Sequence, residues 1–235
     1  MFDVTDELWS TVTVLHPHRT LHGYAGWYVA WRWGGVHVSA PSTASAHEVA
    51  ALTTGRAATL QDPTFWQAFA HGRGFEVVGP STHLYLDSDV DASLLSEASS
   101  AVVPLDTEQL DRLSSRVRAQ DWDEGGMGHR PPPTIAVGVL DEDGVVAAAV
   151  LNPWRDVPSD IGVVVADSHR GRGLGTTVAA HATSYAVRKH AIARWRAATR
   201  NVASMQIARR LGFEPYATQL ALRPGPGAVS GSSRA

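Results

Sequence analysis

The segment His169-Arg170-Gly171-Arg172-Gly173-Leu174-Gly175-Thr176 has the residue types and spacing to bind a phosphate. It precedes a run with helical spacing, Leu174, Val178, Ala182, Tyr185 and Ala186. A helix start leaves backbone N–H groups without partners and carries the positive end of the macrodipole. Glycines before and inside the first turn let an anion reach those N–H groups. Each such bond to a charged oxygen is worth about 1.5–3 kcal/mol. An exposed arginine contact is worth only about 0–1 kcal/mol. The backbone of Arg172 to Thr176 should therefore dominate, with Arg170 and Arg172 adding steering and charge balance.

Two common phosphate motifs do not fit. A P-loop needs Gly-Lys-Ser/Thr, and here Gly175 is followed by Thr176 and Thr177. A dinucleotide fingerprint needs G-x-G-x-x-G, whereas these glycines stand at 171, 173 and 175, late in the chain. The run Arg170-Gly171-Arg172-Gly173-Leu174-Gly175 instead resembles the Arg/Gln-x-x-Gly-x-Gly/Ala pyrophosphate loop of the GNAT superfamily of N-acyltransferases. Downstream, Asn201-Val202-Ala203-Ser204 followed by Leu211-Gly212-Phe213 resembles that family's second signature. Asn201 also reads as the N-cap of the helix that follows it, and the two roles can coexist.

The resemblance implies an activity and a site. Acetyl-CoA would be the co-substrate, without a metal, and the acceptor a primary amine or an amino group of a larger substrate. Two adjacent parallel strands, Ile161 to Ala166 and Arg194 to Thr199, would splay and admit the pantetheine. Backbone groups of Val163, Val164 and Val165 would pair with it, and Asn201 would bond it. The N–H of Val163 would polarise the thioester carbonyl. The amine would attack directly in a ternary complex once a base has taken its proton. A non-catalytic acyl-CoA-binding sensor and a protein or peptide N-acetyltransferase are the alternative readings.

The chain departs from the family where protons move. The position of the usual glutamate base is Ser159, which cannot serve. Asp160 is adjacent, but strand alternation aims it to the opposite face. Glu124, with Asp121 and Asp123, sits in the segment where this family builds its substrate wall. Glu124 is thus the first candidate base and Asp160 the second. The family's tyrosine acid is replaced by Ala208, leaving Ser204, Tyr216 or solvent to supply the thiolate's proton.

The elements that must hold these groups follow from periodicity. Residues 101–104 and 134–140 read as strands, Val145 to Leu151 as the second arm of a hairpin turning at Asp143-Gly144, and Ile161 to Ala166 as a strand covered on both faces. Thr107 to Ala119 reads as a helix capped by Thr107, followed by a loop from Asp121 to Pro133. A helix over Leu174 to His190, a strand over Arg194 to Thr199, a helix over Ala203 to Leu211 ended by Gly212 and a strand over Thr218 to Arg223 complete the order. The expected class is α/β with a mixed sheet, a catalytic domain over residues 98–223.

Residues 87–100, small and acidic, read as a connector. Before it lies a tryptophan-rich segment with a strand at Val36 to Ser39, a helix over Ala46 to Leu60 and another over Phe65 to Ala70 capped at Asp62. Gly79-Pro80-Ser81 to Leu84-Tyr85-Leu86-Asp87 resembles the N-terminal portion of bacterial two-part GNAT proteins. Residues 1–95 lack any Arg-x-x-Gly-x-Gly loop and read as a smaller, degenerate half or substrate wall. Residues 224–235 read as a disordered tail.

Composition sets outer limits. The chain has 235 residues, 44% hydrophobic and 18% charged, with net charge −3 and no cysteine. That excludes disulfides and thiolate chemistry, and gives no basic excess for nucleic acid. His16, His18 and His22 lack the carboxylate or cysteine support of a metal site. Arg188, Lys189, Arg194 and Arg196 read as a solvated basic surface. MFDVTDELWS carries acids where a signal peptide needs bases, and no apolar run approaches membrane length. A soluble cytoplasmic protein of bacterial type is expected, and a homodimer is compatible with it.

Overall fold

The computed structural model describes residues 14–18, 23–53, 56–88, 90–91, 101–128, 133, 135–154 and 156–225. The chain forms two compact units, one of Met1–Thr82 with Tyr216–Ala235 and one of His83–Pro215. Strand Glu214–Pro224 thus lies largely in the first unit.

In the first unit, β1 (Val14–Pro17), β2 (Trp27–Arg32) and β3 (Gly35–Ala40) lie in the order β1-β3-β2, with residues Thr218 to Leu222 antiparallel to β2. Trp27, Val29, Val36, Val38 and Ala40 form one face of this sheet and pack with Val49, Leu60, Trp66 and Phe69 from the helices. The helix expected over Ala46 to Leu60 is two, α1 (Thr43–Thr53) and α2 (Ala57–Gln61). Thr53, Thr54 and Gly55 are poor helix formers, and Thr53 turns its hydroxyl back onto Val49 O at 2.9 Å. In α3 (Pro63–Ala70), Asp62 caps Thr64 N at 2.9 Å as expected. His18 bonds Ser39 Oγ at 2.5 Å and Gly26 O at 2.9 Å, and is thereby held in the fold. His22 lies outside the described residues.

The second unit takes the last residues of β4 (Phe75–Leu86), from His83 on. There follow β5 (Val102–Pro104), α4 (Thr107–Ser114), α5 (Ala119–Glu124), β6 (Ile135–Asp141), β7 (Gly144–Trp154), β8 (Val157–Val165), α6 (Leu174–His190), β9 (Ala193–Ala198) and α7 (Val202–Arg210). The sheet runs β9-β8-β7-β6-β5, antiparallel except for the β8–β9 pair. β7 is buried on both faces, which is why its sequence is a continuous apolar run. Ala147, Ala149 and Leu151 join the core with α6 and α7, while Ala148 and Val150 join Leu113 and Val117 on the other side.

Two helical expectations need correction. The cap of α4 is Asp106: Gln109 N donates to Asp106 Oδ1 at 2.8 Å, and Asp106 N to Gln109 Oε1 at 2.9 Å. The helix ends at Ser114, where Ser114 and Ser115 bond back to Asp111 O and Arg112 O. A second helix, α5, occupies what read as loop, so Glu124 stands at a helix C-terminus. Among the described residues, no helix is long and apolar enough to cross a membrane.

Candidate active site

The site begins where two strands part. β8 and β9 are paired at Asp160↔Arg194 and Ile161↔Trp195. β8 continues to Val165 and β9 to Ala198 without further rungs between them. The gap opens into a cleft of about 440 Å³ lined by Ile161, Val163, Val164 and Val165. On the other wall stand Trp195, Asn201, Ser204 and Ile207. Strand backbone left without a neighbour supplies donors and acceptors to an extended ligand.

The cleft ends at the start of α6. Gly173 is the N-cap residue at φ +81°, and no side chain caps the helix. A Cβ on Gly171 (φ +76°) or Gly173 would meet nothing within 4 Å, so both glycines leave open space above the helix start. Gly175 has a different role. A Cβ there would lie 3.1 Å from Ile207 Cδ1 and 3.4 Å from Val165 Cγ2, so glycine lets α6 pack against α7 and β8.

Of the residues read as cofactor-binding, Val163, Val164, Val165, Arg170, Gly171, Gly173, Leu174, Gly175, Thr176 and Asn201 all line this cleft. Arg172 does not, and its guanidinium reaches Ser168 O at 3.3 Å. Arg170 is already engaged, with Asp121 Oδ2 and Asp167 Oδ1 each 2.7 Å away. The Arg170 bond, joined by one from Arg118, holds the Asp121 carboxyl below its ordinary range. Arg170 therefore fastens the loop to α5 as well as contributing charge. Asn201 is the N-cap of α7, its Oδ1 accepting from Ser204 N at 3.0 Å.

Among the proton-transfer candidates, Glu124 and Ser204 line the cleft and Asp160 does not. The end of α5 lies directly on β8, because a Cβ on Gly125 would sit 2.8 Å from Val163 O and 2.5 Å from Val164 Cγ1. This contact carries the neighbouring Glu124 to the backbone of Val163 and Val164. Glu124 Oε1 accepts from Arg200 Nη2 at 3.0 Å and from Gln120 Nε2 at 3.1 Å. Ser204 Oγ accepts from Trp195 Nε1 at 3.0 Å. Ser159 and Ala208 are fully buried. Tyr216 belongs to the other unit, where Arg32 stacks 4.2 Å over its ring.

Asp160 is bound to Arg194 Nη1 at 2.8 Å, with the two side chains 15% and 5% exposed. Arg194, read from sequence as a solvated basic residue, is instead inside the fold. Its Nη2 donates to His83 Nδ1 at 3.1 Å, and its guanidinium stacks 5.0 Å from the Trp154 ring. Burial first, and then Arg194 and Arg196, push the His83 pKa down to about 3. Neither this network nor Arg200 has a sequence signature, because the partners are brought together only across strands and turns.

Residues 99–213 match the model described as the Acetyltransferase (GNAT) family. A solved GCN5-related N-acetyltransferase-like protein from Streptococcus suis is 18% identical, with 68% of each chain covered and a TM-score of 0.51. A GCN5-related N-acetyltransferase from Kribbella flavida is 23% identical over 70% of this chain and 65% of that one, with a TM-score of 0.44. No curated protein matches. By class this is a protein with an acyltransferase fold. Residues 99–213 are a domain of the GNAT acetyltransferase family.

Proposed function

We propose that this domain transfers an acetyl group from acetyl-CoA to a primary amine, by direct attack in a ternary complex. The observation that carries the proposal is the parting of β8 and β9 into a cleft that ends at an uncapped, glycine-fronted helix start. An apolar slot with unpaired strand backbone suits the pantetheine arm, and the α6 start suits a pyrophosphate. Acetyl-CoA supplies an activated acyl carbon. The chain's part is to hold, polarise and deprotonate. Backbone groups of Val163, Val164 and Val165 would align the arm, with the Val163 N–H on the thioester carbonyl. Gly171 to Thr176 would cradle the phosphates, and Arg172 would add charge from the rim.

Glu124 is the candidate general base. It takes the proton from the amine nitrogen, directly or through one water, as the N–C bond forms and the C–S bond breaks with its electron pair leaving on sulfur. Ser204 would donate a hydrogen bond to the departing sulfur. Its Oγ already accepts from Trp195, which frees the hydroxyl proton to point elsewhere. Asp160 is disfavoured as a base by its buried pairing with Arg194.

A second reading rests on the burial of Ser159 and Ala208, where the family's glutamate and tyrosine would stand. A domain without them could bind acyl-CoA as a sensor. Free-thiol release from acetyl-CoA, measured against a panel of polyamines, aminoglycosides, amino acids and peptides, separates the two. Tight CoA binding without thiol release over the whole panel would favour the sensor.

A further inference from the structure

We infer that Arg200 is a positioning residue for Glu124, anchoring one carboxylate oxygen so that the other faces the reacting amine; this rests on the reading of Glu124 as base. Both bonds to Glu124, from Arg200 and from Gln120, go to Oε1. Oε2 enters neither, and a carboxylate fixed through one oxygen presents the other in a defined direction. Anchoring from two sides restricts rotation about the terminal bond, which otherwise lets an exposed glutamate sample many orientations.

The two partners come from opposite walls of the cleft. Glu124 ends α5, whose Gly125 is packed on β8 at Val163 and Val164. Arg200 stands in the turn between β9 and α7, a turn held by Asn201 N to Ala198 O at 2.8 Å and Val202 N to Arg200 O at 3.0 Å. The ion pair therefore spans the interval where β8 and β9 share no rungs. Other nearby arginines have different partners: Arg170 holds Asp121 and Asp167, and Arg194 holds Asp160. The Arg200 side chain is 72% exposed, and a pair this open adds little to folding. Its bond to Glu124, which lines the cleft, is better explained by orientation than by stability.

The test is a double-mutant cycle on kcat/KM for the fastest amine of the panel, with CoA affinity measured separately by calorimetry. Arg200→Ala should lower kcat/KM by about tenfold, the scale of a loosened catalytic group, and leave the CoA dissociation constant within about twofold. Arg200→Lys should recover part of the loss. In a Glu124→Gln background, Arg200→Ala should cost nothing more. An undiminished cost in that background, or weakened CoA binding, would show that Arg200 serves the cofactor and overturn the inference. If Glu124→Gln lowers turnover but Arg200→Ala does not, the base survives and the positioning role falls. If Glu124→Gln has no effect, the reading of the base fails and the inference falls with it.

Discussion

Arg194 Nη2 and His83 Nδ1 lie 3.1 Å apart inside the fold, with Asp160 on the guanidinium's other side at 2.8 Å. The guanidinium can only donate, so His83 Nδ1 must accept and the ring must be neutral. Among the described residues, His83 Nε2 and Arg194 Nε are buried without hydrogen-bond partners. Protonation of His83 would set two donors against each other.

His83 is lowered from 6.5 in the unfolded chain to about 3 in the fold, so between those values the unfolded state binds more protons. Stability should be present above pH 6.5 and fall as pH drops towards 3, by up to about 1.4 kcal/mol per pH unit from this group. Burial lowers His18 and His181 in the same direction. In His83→Asn, whose side-chain oxygen can still accept from Arg194, the slope measured by urea unfolding at several pH values should be shallower. An unchanged slope would remove His83 as its source.

The two catalytic carboxylate candidates should fail in different ways. Glu124→Gln keeps the fold and should lower kcat/KM for the amine at least a hundredfold, within the 10²–10⁴ range of general-base catalysis. Asp160→Asn breaks a buried pair, leaving Arg194 uncompensated, and should cost about 3–5 kcal/mol of stability. Thermal unfolding and steady-state kinetics on both variants tell them apart. A stable Asp160→Asn with lost turnover would return Asp160 to the role of base.

The glycines of the loop should also separate. Gly173→Val forces a β-branched residue to φ +81° and fills the space over the helix start, so CoA should bind at least tenfold more weakly. Arg172→Ala should cost about fivefold or less. Gly175→Val places its branch against Ile207 and should show mainly as a lower melting temperature. Calorimetry finding Arg172→Ala worse than Gly173→Val would refute backbone-dominated binding.

The His83–Pro215 unit needs residues upstream of the 87–100 stretch. Leu84 and Leu86 are buried at 0% and 6% exposure in its core, beside Phe213 and Trp195. Leu84→Ala should destabilise by about 2–5 kcal/mol. A fragment beginning at Ser96 should show no cooperative unfolding transition. Its folding and binding CoA like the whole chain would mean that β4 is dispensable.

Local features of this domain were legible because they depend on neighbours in sequence. The α6 bounds follow from the 3.6-residue period after Gly173, the β6–β7 hairpin from Asp143-Gly144, and the Asn201 cap from its place ahead of Val202 to Arg210. Gly171 and Gly173 do adopt the positive φ that their loop requires. The break after Ser114 was not legible, since Leu110, Leu113 and Val117 keep a helical period across it while two serine hydroxyls end the helix.

What the sequence determined by itself was the glycine-rich turn into α6 and most of the order of elements after residue 101, because backbone conformation and short-range caps are local. The tertiary structure alone decided which charges meet. Arg194 and Arg200 are six residues apart and chemically identical, yet one is buried between Asp160 and His83 and the other reaches Glu124 across an open cleft. Coulomb and hydrogen-bond energies depend on distance and burial, and neither quantity is written in the spacing of residues along a chain.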